Sequence, residues 1–347
     1  MARKILWASL ALAPVVILMK WAFSVSDVVL FAASAVALIP LAWLIGEATE
    51  HAGEHTGPGI GGFLNATFGN APEVIIALIA VGSGLPNVVR GSLTGSIASN
   101  ILLVLGAALA FGRDARVDRR SLLLQLGLVL LATVAFLVPS IPGWHGDPDR
   151  HSLAIATIPV AVVLLLVYTG VIADNLRRHR RLHSESDSQP AEGWTLPRSL
   201  VVLTVATVAT AFVSEVLVHT LDRFAHAAHL SEFFIAAVIV AIVGNAAEHG
   251  GAVVIARRGK MRLATEIAIS SSAQVAMLVT PAVALLSFVV SPALPLTFRP
   301  IELIAMGAAA LFVAIVLRDG RVYRWEGFML IGVYAALAVA FGVVGDR

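Results

Sequence analysis

The sequence predicts an all-α integral membrane protein. Eleven transmembrane helices are expected, one N-terminal helix followed by two inverted five-helix repeats. Three observations lead there. Hydrophobic residues make up 58% of the 347 and charged residues only 13%, with mean hydropathy +0.89, whereas soluble domains carry about 25% charge. The apolar residues gather into eleven runs, most of them near the ~20 residues that cross a bilayer as a helix. Finally, Gly69-Asn70-Ala71-Pro72-Glu73 returns in the other half of the chain as Gly244-Asn245-Ala246-Ala247-Glu248.

The runs lie at roughly 5–24, 28–50, 60–84, 88–112, 121–141, 152–174, 200–219, 230–256, 263–290, 300–318 and 324–344. Met1-Ala2-Arg3-Lys4 leads into the first run, which ends at Lys20 and Trp21 without a small-residue cleavage site. It is therefore expected to be a helix that stays, not a removable signal. The one long polar stretch, Arg177 to Pro197, carries Arg177-Arg178-His179-Arg180-Arg181 and Ser184-Glu185-Ser186-Asp187-Ser188, a linker composition. The expected organisation is an N-terminal helix over 1–25, a first repeat over 26–176, a linker over 177–197 and a second repeat over 198–347. Five spans per repeat force the second repeat to insert upside down relative to the first.

Orientation follows from the basic residues. With the N-terminus cytoplasmic, 18 of the 24 Lys and Arg residues fall inside. Lys20, Arg90, Arg150, Arg223, Arg299 and Arg347 fall outside. The expected location is the plasma membrane of a prokaryote, with many passes through it. With no cysteine in the chain, disulfides, thiolate metal sites and cysteine nucleophiles are excluded.

An acid inside a membrane span costs at least ~2.5–3.5 kcal/mol and marks a candidate functional site. Asn70 and Glu73 are spaced i, i+3, as are Asn245 and Glu248, so each pair shares a face of a helix. Each acid run is followed by one bearing hydroxyls and an amide. Asn100 follows Gly95-Ser96-Ile97-Ala98-Ser99, and Gln274 follows Ser270-Ser271-Ser272-Ala273. Glu73 and Glu248 are expected to face each other near mid-membrane, ringed by Asn70, Asn245, Asn100 and Gln274. Pro72 is expected to deny its helix one hydrogen bond and free the carbonyl of Phe68.

Carboxylate and amide oxygens without sulfur suit calcium or magnesium better than zinc or copper. Two ionised glutamates balance one divalent cation, and without it a buried pair should take up protons. One site that holds either cation or protons is the minimal chemistry of an antiporter. No Ser/His/Asp constellation lies at that depth, so an intramembrane metal-dependent enzyme is the weaker alternative. A structural protein would leave the duplicated acids unexplained. A second group of acids, Glu47, Glu50 and Glu54 with His51 and His55, lies on one face at the cytoplasmic end of the second run. Glu215 and Asp222, with His219, His226, His229 and Glu232, fall at the opposite membrane face. Each group could form an anionic mouth that gathers cations. His249 points about 100° from Glu248, and its role is left open.

At these residues the chain resembles a family. Gly61-Gly62-Phe63-Leu64-Asn65-Ala66-Thr67-Phe68-Gly69-Asn70-Ala71-Pro72-Glu73 and Val243-Gly244-Asn245-Ala246-Ala247-Glu248-His249 are similar to the two signature repeats of calcium/proton exchangers. These form the cation/proton exchanger branch of the calcium/cation antiporter superfamily. Gly46-Glu47-Ala48-Thr49-Glu50, Ser92-Leu93-Thr94-Gly95-Ser96 and Gln274 through Pro281 match as well. The resemblance implies that Glu73 and Glu248 carry cation and protons, with Asn70 and Asn245 lining the site. The chain departs from the family at Val240-Ala241-Ile242, where relatives often place a proline. The implied activity is exchange of cytosolic calcium for protons by alternating access, with sodium or manganese coupling as the alternative. The expected partners are calcium, protons and the lipid bilayer, with a homo-oligomer left open; neither a cofactor nor nucleic acid is expected.

Overall fold

A computed structural model describes residues 2–182 and 193–346. Nearly all of it is helix, in the order α1 (Ala2–Ser9), α2 (Leu12–Ala22), α3 (Asp27–Phe68), α4 (Ala71–Gly82) and α5 (Pro86–Ala98). A π-helical turn, Ser99–Val104, joins α5 to α6 (Leu105–Phe111). Then come β1 (Ala115–Arg116), α7 (Arg119–Gly143) and α8 (His151–Leu182). The second half runs α9 (Leu196–Ala228), α10 (Glu232–Phe234), a π turn at Ile235–Val240, α11 (Ala241–Gly244) and α12 (Ala246–Arg257). It closes with α13 (Met261–Gln274), a π turn at Val275–Val279, α14 (Thr280–Val290), α15 (Pro300–Val316), β2 (Arg321–Val322) and α16 (Arg324–Val344).

The protein is an all-α integral membrane protein. Among the described residues nine helices are long and apolar enough to cross a membrane, ten if the bent Glu232–Gly244 and Glu248–Arg257 pair is one span, and Ala71–Gly82 is a shorter apolar helix. Their outward faces carry large exposed apolar side chains, among them Val134, Leu166, Val205, Ile304 and Val339. That is the expected surface of helices bathed in lipid, where backbone groups are satisfied internally and apolar side chains need no partner.

Two expectations about the spans need correcting. The runs at 28–50 and 60–84 are not separate helices with a loop between them, because helical backbone continues from Asp27 to Phe68. It cannot be straight. A Cβ added to Gly61 would lie 2.9 Å from the Gly53 Cα, whereas eight residues of straight helix separate Cα atoms by about 12 Å. The chain doubles back there, and only glycine on both sides lets the backbones touch. The glycine-rich stretch around Gly61 is therefore a close crossing inside helical backbone.

The second correction concerns Pro72. It stands in the first turn of α4, not in a helix interior. There its missing N–H is one that the helix start would have left unpaired anyway. The carbonyl of Phe68 is freed because α3 ends, and the Phe68 side chain packs against the Leu44, Ile45 and Ala71 cluster.

The two halves interlock. The long helices α3 and α9 pack against each other, α6 packs on α16 and α7 on α15. A two-stranded antiparallel ribbon pairs Ala115 with Val322 and Arg116 with Arg321, tying the α6–α7 connection to the one before α16. Contacts of α5 with the Ile235–Val240 turn depend on Gly95, where a Cβ would sit 2.0 Å from the Ala237 carbonyl oxygen.

Candidate functional site

Both motifs break their helices at the asparagine. Asn70 (φ −101°, ψ 17°) separates α3 from α4, and Asn245 (φ −91°, ψ 8°) separates α11 from α12. The second break bends the span by 56°. Each glutamate then falls in the first turn of the helix that follows. The i, i+3 spacing therefore joins an N-cap residue to its third helical residue, not two positions on one helix face. Backbone N–H groups at a helix start favour negative charge, which helps hold a carboxylate in an apolar setting.

The half-helices leave the site in opposite directions. α4 ends at the Ser83–Leu85 turn, where α5 begins. α5 and α6 together run 26 residues away from that turn to Phe111. The end of α12 is at that far face, since the Arg257 guanidinium lies over the Phe111 ring and Met261 abuts Gly112.

The polar side chains meet across the halves. Asn70 donates through Nδ2 to Gln274 Oε1 at 2.8 Å. Asn245 donates to Ser96 Oγ at 2.9 Å and to the Ala241 carbonyl at 3.0 Å. The Asn100 amide reaches Ser271 Oγ at 3.0 Å and Asn245 Oδ1 at 3.4 Å. Ser271 in turn donates to Glu248 Oε2. Glu73 sits against the second motif, with its Oε1 3.7 Å from where a Cβ on Gly244 would stand, and within Coulombic range of Glu248. All six residues expected at the site thus converge. Glu73, Asn70, Asn100 and Asn245 are buried, while Glu248 and Gln274 are partly exposed.

Among the described residues no Lys or Arg pairs with Glu73 or Glu248. Glu73 Oε2 and Asn100 Oδ1 are buried acceptors without a hydrogen-bond donor. Unneutralised carboxylate in a dry setting demands a cation or a proton. The spare acceptors are hard oxygens of the kind that bind calcium. Among the described residues no group of three or more His, Asp or Glu is arranged to hold a metal, so the charged ligands here are the two carboxylates, with neutral oxygens beside them.

The outlying acids stay apart from this centre. Glu47 and Glu54 flank His51 on α3, at 3.8 and 3.1 Å, and Glu50 is exposed. His55 hydrogen bonds the Trp194 carbonyl at 2.7 Å. Glu215 and Asp222 are exposed near the other end of the bundle, where Arg223 pairs with Asp27 and His226 with Asp222. The two groups thus occupy opposite ends, as expected. His249 is largely buried, and its Nε2 has no hydrogen-bond partner.

The sequence did not single out Ser96 and Ser271 from their hydroxyl-rich runs, although each completes a bridge between halves. A residue-type pattern cannot tell which of Ser270, Ser271 and Ser272 points inward. The π turns were also missed. Two of them directly follow or contain the amide positions Asn100 and Gln274, and such turns are frequent at functional sites. Arg90 was counted only as an outer-face cation. It is fully buried and bridges Asp149 at 2.7 Å, Asn87 at 3.1 Å and Thr297 at 3.3 Å.

Comparison with known proteins places the chain in a family. A sequence profile of the sodium/calcium exchanger protein family matches residues 26–173 and again 198–343. The chain belongs to that family. It is 37% identical to the Ca(2+)/H(+) antiporter ChaA of Bacillus subtilis, over 93% of each chain. It is 34% identical to a Ca(2+)/H(+) antiporter of Aphanothece halophytica, over 91% of this chain and 90% of that one. Among solved structures, native YfkE matches with TM-score 0.82 and 34% identity, covering 99% of this chain and 100% of that one. The H+/Ca2+ exchanger CAX shares the fold at TM-score 0.74, with 18% identity over 99% and 91% of the two chains. Family members of this kind are transporters by name, not enzymes.

Proposed function

We propose that the protein is a secondary antiporter that exchanges cytosolic calcium for protons, by alternating access around Glu73 and Glu248. The observation that carries this reading is the meeting of two buried or half-buried glutamates, on oppositely directed half-helices, with no basic residue among the described ones to neutralise them. Two carboxylates without a counter-charge are too costly to leave bare in a low-dielectric site. Calcium or protons satisfy them, and each excludes the other. A carrier that crosses only when neutralised couples the two fluxes, because the ionised, empty form is stalled.

On this reading Glu73 and Glu248 bind the cation, with Asn70, Asn245, Asn100, Gln274 and the Phe68 carbonyl around it. Residues 26–176 and 198–347 form two inverted repeats that build one midplane site, a design known for secondary transporters. Residues 1–25 add an N-terminal membrane segment made of α1 and α2, and the linker expected over 177–197 begins within the last turns of α8, its residues 183–192 lying outside those described. The N-terminus is cytoplasmic, in a prokaryotic plasma membrane. Glu47, Glu50 and Glu54 concentrate cations at the inner mouth, and Glu215 and Asp222 do so outside. The names of the relatives above 30% identity support calcium and protons as the exchanged pair.

The test is flux in sodium-free proteoliposomes. Calcium should accumulate against an imposed proton gradient, and acidifying the calcium-facing side should weaken apparent calcium affinity. Uptake that requires sodium or ignores the pH gradient would overturn this assignment.

A further inference from the structure

A small cavity adjoins the site beside Glu73. It is lined by Glu73, Ile76, Ser92, Leu93, Ser96, Val240, Ala241 and Gly244, and it has room for about one water. Its direction follows from the chain. Ile76 lies a turn beyond Glu73 toward the Ser83–Leu85 turn, and Ser92 lies a turn from Ser96 toward the same end. Val240 and Ala241 precede Gly244 on the segment arriving from Ser231. The cavity therefore extends from Glu73 toward the face that carries the α4–α5 turn, the outer face in the proposed orientation. Glu248 is not among its walls.

The hydrogen bonds around it are incomplete in a complementary way. Ser96 Oγ accepts from Asn245, which leaves its own proton to donate. Ser92 Oγ donates to the Val89 carbonyl at 3.0 Å, which leaves its lone pairs to accept. Glu73 Oε2 is buried without any donor. One water accepting from Ser96 and donating to Ser92 and Glu73 would satisfy all three, within the two to four partners that a buried water needs.

The other half is built differently. The 174-residue offset that relates Asn100 to Gln274 places Glu266 where the first half has Ser92, and Ser270 where it has Ser96. Glu266 pairs with Arg262 at 3.4 Å, and Arg262 with Asp118 at 2.9 Å, all partly or fully exposed. The second half thus carries solvated charge at the position where the first half has a buried hydroxyl. The cavity beside Glu73 is edged by two hydroxyls, those of Ser92 and Ser96, and by apolar side chains.

We propose that Ser92 lines a water-holding access path joining Glu73 alone to the α4–α5 face, and that Ile76, Leu93 and Val240 form its constriction. Its occupants are water-sized species in the conformation described here, and Ser92 positions them. This rests on Glu73 being a transport site, as proposed above, but the side from which Ser92 is reached does not depend on which ion is carried.

The chain has no cysteine, so a single Ser92→Cys substitution gives one reporter thiol. Oriented membrane vesicles are exposed from one face at a time to Ag+, a membrane-impermeant, thiol-reactive cation small enough for a water-sized path. Ile76→Cys serves as a second reporter should Ser92→Cys fail to assemble, and Ser83→Cys on the exposed turn marks the accessible face. Labelling of Ser92→Cys or Ile76→Cys is expected from the Ser83 face only, with loss of labelling when saturating calcium is added. Ser92→Leu, which fills the path, should lose exchange, whereas Ser92→Ala, which keeps the space, should retain part of it. Labelling from the opposite face, or no labelling at either position while Ser83→Cys reacts, would overturn the path. Correct sidedness without calcium protection, in protein that also shows no calcium flux, would preserve the path and reject calcium as the cargo.

Discussion

The two motif regions share a backbone plan and differ in what surrounds the acid. Each breaks at asparagine and begins a 12-residue half-helix with the glutamate in its first turn. Glu73 is 7% exposed, has no hydrogen-bond donor on Oε2 and leans on Gly244. Glu248 is more open and is held by Ser271, which Asn100 holds in turn. Duplication supplies the two carboxylates, and divergence sets a hydroxyl donor at Glu248 and a small cavity beside Glu73. The acids therefore share a requirement for neutralisation, but among the described residues Glu248 receives a side-chain donor where Glu73 Oε2 receives none.

The strongest way to break this comparison is to remove either acid. Glu73→Gln and Glu248→Gln should each abolish proton-driven calcium uptake in proteoliposomes, because Gln keeps the size but can neither balance a cation nor carry a proton. If one variant transports normally while the other is dead, the halves do not share a site.

Next in size is the packing that brings the halves together. Gly95→Ala forces a Cβ against the Ala237 carbonyl, and overpacking of this kind costs ~1–3 kcal/mol or more. A lowered melting temperature in detergent is expected. The position that matches it in the second half is Ile269, a full-sized side chain, so the close crossing belongs to one half only. Unchanged melting of Gly95→Ala would mean that α5 and the Ile235–Val240 turn separate easily.

Ser271→Ala sharpens the difference in how the acids are held. It removes the donor to Glu248 and the acceptor for Asn100. A hydrogen bond to a charged group contributes ~1.5–3 kcal/mol, so a weaker calcium affinity is expected in isotope-binding assays. Ser92→Ala should affect binding less, since Ser92 makes no direct bond to either acid. Equal losses from both would erase the distinction.

The smallest effect is expected at the mouth. Replacing Glu47, Glu50 and Glu54 together with Gln should slow uptake from the inner side mainly at low ionic strength, because salt screens such fields within ~10 Å. A triple variant that is inactive at saturating calcium would place these acids in the transport step itself.

Much of the site was legible in the chain. Asn70, Glu73, Asn100, Asn245, Glu248 and Gln274 converge because a duplicated polar island in apolar surroundings has few places to go. The helix breaks were not legible, since Gly-Asn is compatible with both a continuous and an interrupted helix, and Pro72 fits either a kink or a helix start. The doubling back between Gly53 and Gly61 was hidden for a similar reason. Glycine permits close crossing but does not announce its partner. The burial of Arg90 was missed because sequence topology places a basic residue at a face without saying whether Asp149 and Thr297 close over it.

The equal length of the two half-helices has an electrical consequence. Twelve residues of helix span about 18 Å, so in the proposed topology α4 and α12 would hold the acids at similar distances from opposite faces of a hydrocarbon core about 30 Å thick. In the proposed topology an ion entering from either side crosses about half of the membrane potential before it meets them. For a divalent cation that amounts to about 2.3 kcal/mol per 100 mV. Voltage that draws calcium to the site from one face therefore resists its approach from the other by a similar amount, and a turn added to one half-helix would upset that balance.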